Sequence, residues 1–406
     1  MAKRKTYCPD IELEKNLGKQ IFNALQGSVV EQVMKLSKVG DSENYLRSSM
    51  EGGSLKVEKR LLEKYYVMFN SIKEKLGFED PVDFYISGSS EVNAWSSYSE
   101  EEGAPHIVNI NSALLQLMTD DELAFVVGHE LGHLINKNTK LSSLIHFVFP
   151  NSETVPVALA YKIRLWEQLA ELEADRYGFL AVENLDACVS AFYKLASGLD
   201  IAKMNVKMDV LLEENLRHLE YFQTEKGSSR EAHPVNPIRV QALNLFATTK
   251  SDETLNSKMD ELLSILLRIG TSELDYNISL FIASSGLYMA HLDDEVSQEE
   301  IELILKRLSG FQMFANDFLH KVSEGDVPQI FVDSVNKILE IDPGLRDNLF
   351  GYLVDMVMAD KKFSENEVKF LYEQGRDMFG YSDMEIARNI AESIQENFVP
   401  DLFEIV

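Results

Sequence analysis

The sequence predicts a mainly α-helical protein of the α+β class, with a small β-sheet in the first half of the chain. Apolar residues recur at helical spacing through residues 10–75 and again from residue 261 to residue 406. Between these regions, Val82–Ile86 and His106–Ile110 are short runs rich in β-branched and aromatic residues, a composition typical of strands. The sheet is therefore expected among helices, and the second half of the chain is expected to be all-helical.

The length of the chain indicates two domains. Its 406 residues exceed the usual size of a single domain, roughly 100–200 residues. The polar stretch 248–258 has the composition of an interdomain linker. We therefore expect one domain over residues 1–250, which contains the strands, and a helical domain over residues 258–406.

Three helices of the first domain can be located from their sequence patterns. Apolar spacing predicts a helix over Val57–Leu76 and another over Val157–Glu183. Thr119 and Glu122 have the spacing of a capping box, in which each side chain bonds to the other residue's backbone N–H. This capping box predicts a helix that runs from Asp120 to Asn136.

Composition and charge exclude several classes of protein. The net charge of −27 disfavours nucleic acid and anionic membranes as partners, and it serves either solubility or the selection of a basic partner. The two cysteines, Cys8 and Cys188, are too few for a disulfide framework and fit a reducing compartment. The N-terminus has no apolar core of a signal peptide, and no apolar run approaches the ~20 residues of a membrane span. We expect a cytoplasmic protein.

The sequence His129-Glu130-Leu131-Gly132-His133 is the strongest chemical motif in the chain. On a helix, residues four apart lie on one face, so both imidazoles can reach one metal ion. Zn²⁺ accepts neutral His nitrogen readily, and Glu130 stands where such sites place a general base. The motif predicts one Zn²⁺ per chain. The alternative is a pair of unrelated histidines on an amphipathic helix, but their apolar flanks would make two unsatisfied imidazoles costly.

A third metal ligand must come from another part of the chain. The stretch Glu171-Leu172-Glu173-Ala174-Asp175 lies on a second predicted helix, and spacing alone leaves both Glu171 and Glu173 as candidates. Asp175 lies one turn beyond Glu171, where its carboxylate could accept a hydrogen bond from a ligand histidine and fix its tautomer. The alternative is a solvated acidic face.

The pairing of H-E-x-x-H with a later E-x-x-A-D resembles the gluzincin family that includes HtpX and the CAAX prenyl endopeptidases, family 48 of the metallopeptidases. The resemblance covers about residues 57–245 and extends to Asn93-Ala94-Trp95, Asn111–Leu115, Asp120–Ala124, His233-Pro234 and Arg239. It implies a zincin-like fold, Glu171 as the third zinc ligand and Glu130 as the catalytic base.

The same resemblance implies that His233 reaches the active-site cleft, where it could stabilise the oxyanion of the tetrahedral intermediate or gate the metal. The alternative is a loop histidine beside Pro234. Arg239 is expected to hold this loop by an ion pair. Many members of the family carry transmembrane helices near the site, but residues 136–168 contain several charged side chains here. We therefore do not expect this chain to share the membrane-protein or prenyl-protein substrates of that family.

These observations predict a zinc-dependent peptidase whose substrate is a protein or peptide. We expect an endopeptidase, and an aminopeptidase is the open alternative. Glu130 would take a proton from the attacking water and pass it to the leaving amine. The strand His106–Ile110 is expected at the edge of the cleft, where its free backbone groups could pair with an extended substrate. The alternative function is a catalytically weak zincin that acts as an interaction or regulatory module. A structural zinc site is disfavoured, because it would have four ligands rich in Cys.

The helical second half contains an internal repeat. Residues 293–301 and 360–368 share the pattern D-x-x-apolar-S-x-x-E-apolar, which resembles the TerB-like helical domain associated with tellurite resistance. Each Ser-x-x-Glu is a capping box that should begin a helix. Asp294 and Glu295 raise Ca²⁺ binding as an alternative, but the alternating acidic ligand loop is absent. This region is expected to contact a protein partner.

Overall fold

In the computed structural model, the described residues are 8–36, 40–101, 103–150, 155, 157–224, 234–267, 273–290, 318–358 and 365–397. The chain divides into two compact units. The first comprises Met1–Glu153, Ile163–Thr224 and Ser229–Leu263. The second comprises Thr154–Lys162, Glu225–Ser228 and Ser264–Val406.

The structure is mainly α-helical with one small sheet, as the sequence predicts. The helices before residue 268 are α1 (Glu12–Ala24), α2 (Gly27–Leu36), α3 (Gly40–Gly53), α4 (Glu63–Lys75), α5 (Ser112–Leu117), α6 (Asp120–Ile135), α7 (Asn138–Val148), α8 (Val157–Val182), α9 (Leu185–Ser197), α10 (Met208–Thr224), α11 (Asn236–Thr248) and α12 (Asp252–Leu267). A 3₁₀ helix, Ile201–Met204, lies between α9 and α10.

The sheet has four strands in the order β1-β2-β4-β3, namely β1 (Leu55–Lys56), β2 (Val82–Ser87), β3 (Ala94–Ser97) and β4 (His106–Asn111). β2 and β4 are parallel, and β1 and β3 pair antiparallel with β2 and β4 respectively. Both predicted strands are confirmed to within one residue. The expectation that His106–Ile110 lies at the cleft edge is wrong, because this strand is buried along its length between β2 and β3. The edge strand on that side is β3.

Two helix predictions are confirmed and two expectations need correction. α6 and α8 match their predicted bounds to within one residue. The helix predicted over Val57–Leu76 begins only at Glu63, because the Val57 N–H donates to the Phe84 carbonyl at 2.8 Å and extends the sheet pairing. The linker predicted over residues 248–258 is also largely helical, since α12 begins at Asp252.

The start of α6 is fixed by the predicted capping box and by a buried ion pair. The Thr119 N–H donates to Glu122 Oε2 at 2.7 Å, and the Glu122 N–H donates to Thr119 Oγ1 at 3.4 Å. Lys194 of α9 is fully buried and donates to Glu122 Oε2 at 2.9 Å and to the Leu117 carbonyl at 3.1 Å. α6 therefore enters the core at a defined position.

Glycines allow α6 and α8 to cross at close range. A Cβ atom at Gly132 would lie 2.9 Å from the Tyr177 Cβ and 3.1 Å from the Ala174 Cα. A Cβ atom at Gly128 would lie 2.5 Å from the Ala181 Cβ, and one at Gly178 would lie 2.7 Å from the Phe125 carbonyl oxygen. Since such contacts are sterically forbidden, the missing side chains set the distance between the two helices.

The described part of the second unit is helical. Its helices are α13 (Glu273–Ala290), α14 (Phe318–Ser323), α15 (Val327–Ile341), α16 (Arg346–Met358), α17 (Glu365–Asp377) and α18 (Asp383–Asn397), with a 3₁₀ turn at Pro343–Leu345. Its core contains the buried rings of Phe281, Phe331 and Phe350.

The internal repeat lies mostly outside the described residues. Residues 293–301, which include Asp294 and Glu295, and residues 360–364 are not among them. α17 begins at Glu365, next to the predicted cap at Ser364. The likeness to a TerB-like domain and its protein partner therefore stay predictions.

Among the described helices, none has the length and apolarity needed to cross a membrane.

Candidate metal centre

Three side chains from α6 and α8 converge at one point. Nε2 of His129 lies 3.1 Å from Nε2 of His133. The Glu171 carboxylate lies 3.3 Å from Nε2 of His133 and 3.6 Å from Nε2 of His129. Within the described part of the chain, this is the group of His, Cys, Asp and Glu side chains whose ligand atoms could hold a metal ion. The structure thus brings together the three ligands that the sequence and the resemblance predict.

The residues present fit a zinc ion. Two imidazole nitrogens and one carboxylate oxygen form a donor set that catalytic zinc sites use, with a fourth position left open. For bonds of about 2.0–2.1 Å, tetrahedral ligands stand roughly 3.3 Å apart, close to the separations of 3.1–3.6 Å observed here.

The rival ligand, Glu173, lies on the opposite side of α8. Two residues along a helix correspond to a rotation of roughly 200° about its axis, so Glu171 and Glu173 cannot face the same site. Glu173 is fully buried, and its Oε2 accepts the Ile11 N–H at 3.0 Å. Burial raises the pKa of Glu173 to about 8. Glu173 therefore belongs to the packing between α8 and the N-terminal segment.

Asp175 connects one candidate ligand to a buried arginine. Its Oδ1 lies 3.0 Å from Nδ1 of His129. Arg239 of α11 donates to the same carboxylate from Nε at 2.9 Å and from Nη2 at 2.6 Å. Burial acts against the charge of Asp175, but Arg239 and His129 together hold its pKa below the usual value. This ionised carboxylate can fix His129 with Nδ1 protonated and Nε2 directed to the metal position.

Arg239 contacts the site directly. Its guanidinium lies against Asp175 and 3.2 Å from Glu171 Oε2, while the loop that it is expected to hold lies outside the described residues. Burial disfavours its charge, yet the neighbouring carboxylates raise the pKa of Arg239 above its ordinary value. The guanidinium also stacks over the Phe192 ring, with 5.0 Å to the centroid. Arg239 therefore supplies a permanent positive charge beside two carboxylates of the site.

The second candidate histidine has different neighbours, which sequence reasoning missed. Nδ1 of His133 lies 3.4 Å from Oδ1 of Asn138. The Asn138 amide donates to Oε1 of Glu14 at 2.9 Å, and the Trp166 indole donates to the same oxygen at 2.7 Å. Asn138 stands five residues after His133, just past the end of α6. No sequence pattern there indicates that its side chain contacts His133. The sequence around Glu14 likewise does not indicate a contact with Asn138.

Glu130 faces an open cleft beside the three ligands. The cleft has a volume of about 340 Å³, and Glu130 is itself buried. It is lined by residues of β3, α6, α7, α8, α9 and α11, among them Asn93, Ala94, Trp95, Ser96, Phe125, Val126, Thr139, Leu195 and Arg239. The candidate base, the candidate ligands and the edge strand β3 therefore share one cavity.

His233, the second predicted catalytic residue, lies outside the described residues, as does the rest of residues 225–233. Pro234, which follows it, is described and buried.

Comparisons with known proteins match the region of the chain that contains this site. Residues 66–246 match the family model for peptidase family M48, and the match includes α6, α8 and most of α11. The chain is 26% identical over 246 residues to plastoglobule-localized metallopeptidase 48, chloroplastic, of Arabidopsis thaliana, which covers 57% of this chain and 67% of that protein. It is 32% identical over 89 residues to a protease HtpX homolog of Thermoanaerobacter pseudethanolicus, which covers 21% of this chain and 29% of that protein.

Residues 66–246, which carry the candidate metal centre, are thus similar to the M48 peptidase family, and this similarity supports a peptidase function. Proteins of this family are typically zinc-dependent.

Proposed function

We propose that this chain is a zinc-dependent peptidase, specifically an endopeptidase that cleaves proteins or peptides. One observation carries the proposal: Nε2 of His129, Nε2 of His133 and the Glu171 carboxylate lie within 4.8 Å of one another. They do so in the cleft that also contains the Glu130 carboxylate. The match to a peptidase family over this same region supports it.

In the proposed site, His129, His133 and Glu171 hold one Zn²⁺ ion. When bound, zinc supplies Lewis-acid chemistry, because it lowers the pKa of water to near 7 and polarises a carbonyl group. Asp175 keeps His129 in the tautomer that presents Nε2. Arg239 balances the negative charge of Asp175 and Glu171, so that two buried carboxylates can stand side by side.

Glu130 acts as the general base in this proposal. It lies between the two histidines in sequence, and its carboxylate lines the cleft where water and substrate would meet. It takes a proton from the attacking water and afterwards gives that proton to the leaving amine. A site used only to stabilise the fold would need neither this carboxylate nor an open position.

We further propose that β3 aligns the substrate. In the sheet order β1-β2-β4-β3, the strand β3 pairs with β4 on one side only, and Ala94, Trp95 and Ser96 line the cleft. An edge strand can add an extended peptide through backbone hydrogen bonds, while side-chain pockets select the residues. His233 stays a candidate for stabilising the oxyanion.

The test measures casein cleavage and zinc content on wild-type protein and on Glu130→Gln, which has nearly the same shape but cannot act as a base. Glu213→Gln, on the exposed face of α10, is the matched control. The proposal predicts zinc in all three proteins and cleavage by wild type and Glu213→Gln only. Zinc in all three without cleavage by any would favour an interaction or regulatory module. Absence of zinc from the wild type would overturn the metal site.

A further inference from the structure

We infer that helix α1 is part of the metal centre, and that Glu14 orients the candidate ligand His133 through Asn138. This inference rests on the proposed function, since it assigns a positioning role toward the proposed zinc ion. Glu14 lies outside residues 66–246, the region that matches the peptidase family. The inferred role therefore belongs to a residue outside the region that matches the peptidase family.

The contacts form a continuous chain from α1 to the metal position. Trp166 Nε1 and Asn138 Nδ2 both lie within hydrogen-bond distance of Glu14 Oε1, at 2.7 and 2.9 Å. Asn138 Oδ1 faces Nδ1 of His133 at 3.4 Å. Glu14 and Asn138 are both buried, so water does not compete freely for these groups.

The direction of each hydrogen bond follows from the chemistry of its partners. An indole N–H can only donate, so Glu14 Oε1 is an acceptor. The Asn138 NH₂ group donates to this oxygen, which leaves its carbonyl oxygen toward His133. A carbonyl oxygen can only accept, so Nδ1 of His133 must carry the proton. In the neutral imidazole that binds a metal, the unprotonated nitrogen is then Nε2, the atom directed to the metal position.

α1 is held in place by contacts with the face of α8 that points away from the site. The Ile11 N–H donates to Glu173 Oε2 at 3.0 Å, and Arg176 Nη1 donates to the carbonyls of Pro9 and Asp10 at 3.1 Å. Leu17 and Ile21 of α1 are fully buried. Glu14 thus sits on an anchored helix, as a positioning residue requires.

The inference makes a specific prediction about Asn138. Without Glu14, the amide of Asn138 is free to turn its NH₂ group toward His133, where it would oppose the tautomer that binds metal. Aspartate at the same position has no donor to misplace, since an ionised carboxylate only accepts. Asn138→Asp should therefore make Glu14 unnecessary for zinc binding.

The experiment measures the zinc Kd of the full-length chain by competition with a chromogenic chelator. The proteins are wild type, Glu14→Met, Glu14→Met/Asn138→Asp, and the control Glu12→Met, which changes an exposed residue of the same helix. We expect Glu14→Met to weaken zinc binding about tenfold, a typical loss for a partner of a ligand histidine. The double variant should regain at least the wild-type affinity, and Glu12→Met should stay within about twofold of it.

The unfolding temperature of each metal-free protein separates positioning from folding. A merely structural role for Glu14 predicts that the double variant binds zinc as weakly as Glu14→Met does, and this result would overturn the inference. A Kd of Glu14→Met equal to that of the wild type would also overturn it while leaving the proposed function intact. Wild-type protein that binds no zinc would overturn the proposed function and this inference together.

Discussion

Asp175 and His129 lie in hydrogen-bond contact, with 3.0 Å between Oδ1 of the carboxylate and Nδ1 of the imidazole. The two residues belong to α8 and α6 respectively. Nε and Nη2 of Arg239, on α11, both donate to the same Asp175 carboxylate. The Asp175 carboxylate therefore joins α6, α8 and α11, and it fixes which nitrogen of His129 points to the metal position.

The first prediction concerns this contact. Asp175→Asn keeps the shape of the side chain but offers an NH₂ group that can donate to Nδ1 of His129 and so leave the proton on Nε2, the nitrogen that would bind the metal. We expect the zinc Kd to rise about tenfold or more, because partners of ligand histidines typically contribute that much. Chelator competition measures the change. Asp186→Asn, an exposed residue in the first turn of α9, should leave the Kd unchanged.

A second prediction concerns the buried charge of Arg239. Arg239→Ala leaves Asp175 and Glu171 without their cation, and removing one partner of a buried ion pair costs about 3–5 kcal/mol. We expect the free energy of unfolding to fall by this order in metal-free protein and by less with zinc bound, because the ion supplies positive charge. Urea denaturation with and without zinc measures both values. Equal losses in the two conditions would contradict this role.

The control for Arg239 is Arg217→Ala on α10. Arg217 is exposed and pairs with Glu214 at the surface, where an ion pair contributes at most about 1 kcal/mol. Arg217→Ala should leave the free energy of unfolding nearly unchanged. It should also leave unchanged the difference between the free energies of unfolding measured with and without zinc.

The close crossing of α6 and α8 gives a third prediction. Gly132→Ala places a methyl group 2.9 Å from the Tyr177 Cβ, so the helices must move apart. We expect a loss of about 1–3 kcal/mol in stability, as for other overpacked cores, together with weaker zinc binding. Gly351→Ala is the control, because this helical glycine has open space around it and alanine should stabilise its helix slightly. A Gly132→Ala protein with wild-type stability and zinc affinity would show that the crossing is not tight.

The fourth prediction concerns pH and the buried pair of Glu122 and Lys194. Burial acts to raise the pKa of Glu122, but hydrogen bonds from Ser190, the Thr119 backbone and Lys194 outweigh it and hold the pKa below the ordinary value of 4.5. A carboxyl group with a lowered folded-state pKa stabilises the protein above its unfolded-state pKa and loses this contribution as pH falls through the folded-state value.

Glu122→Gln therefore serves as the test. The difference in free energy of unfolding between wild type and Glu122→Gln should be constant near neutral pH and shrink as the pH falls below about 4.5. Urea titrations across this range measure it. A difference that stays constant down to acid pH would mean that Glu122 is not ionised in the folded protein.

Local sequence patterns account for the helices and strands that were predicted correctly and for the position of both candidate histidines. The capping box at Thr119 and the apolar spacing after it define α6, and the H-E-x-x-H motif lies on that helix, so both histidines follow from one local pattern. Spacing did not separate Glu171 from Glu173. Their separation depends on which face of α8 meets α6 and which meets α1, and this is a property of tertiary packing.

Other features were beyond local patterns. The edge position of β3 depends on strand order, which periodicity does not encode, so the cleft edge was assigned to β4 instead. The mostly polar side chains at the start of α12 predict a linker, although Leu255 and Met259 are buried there at helical spacing. Glu14 and Asn138 are 124 residues apart, so only the folded chain reveals their contact.

The central claim, that His129, His133 and Glu171 hold zinc, is tested most directly by the zinc content of two matched variants. Glu171→Gln and Glu173→Gln change buried glutamates two residues apart on α8, on opposite faces of the helix. After dialysis against a mild chelator, we predict about one zinc per chain in wild type and in Glu173→Gln, and a substoichiometric amount in Glu171→Gln. Full zinc content in Glu171→Gln, or loss of zinc from Glu173→Gln alone, would contradict the proposed ligand set.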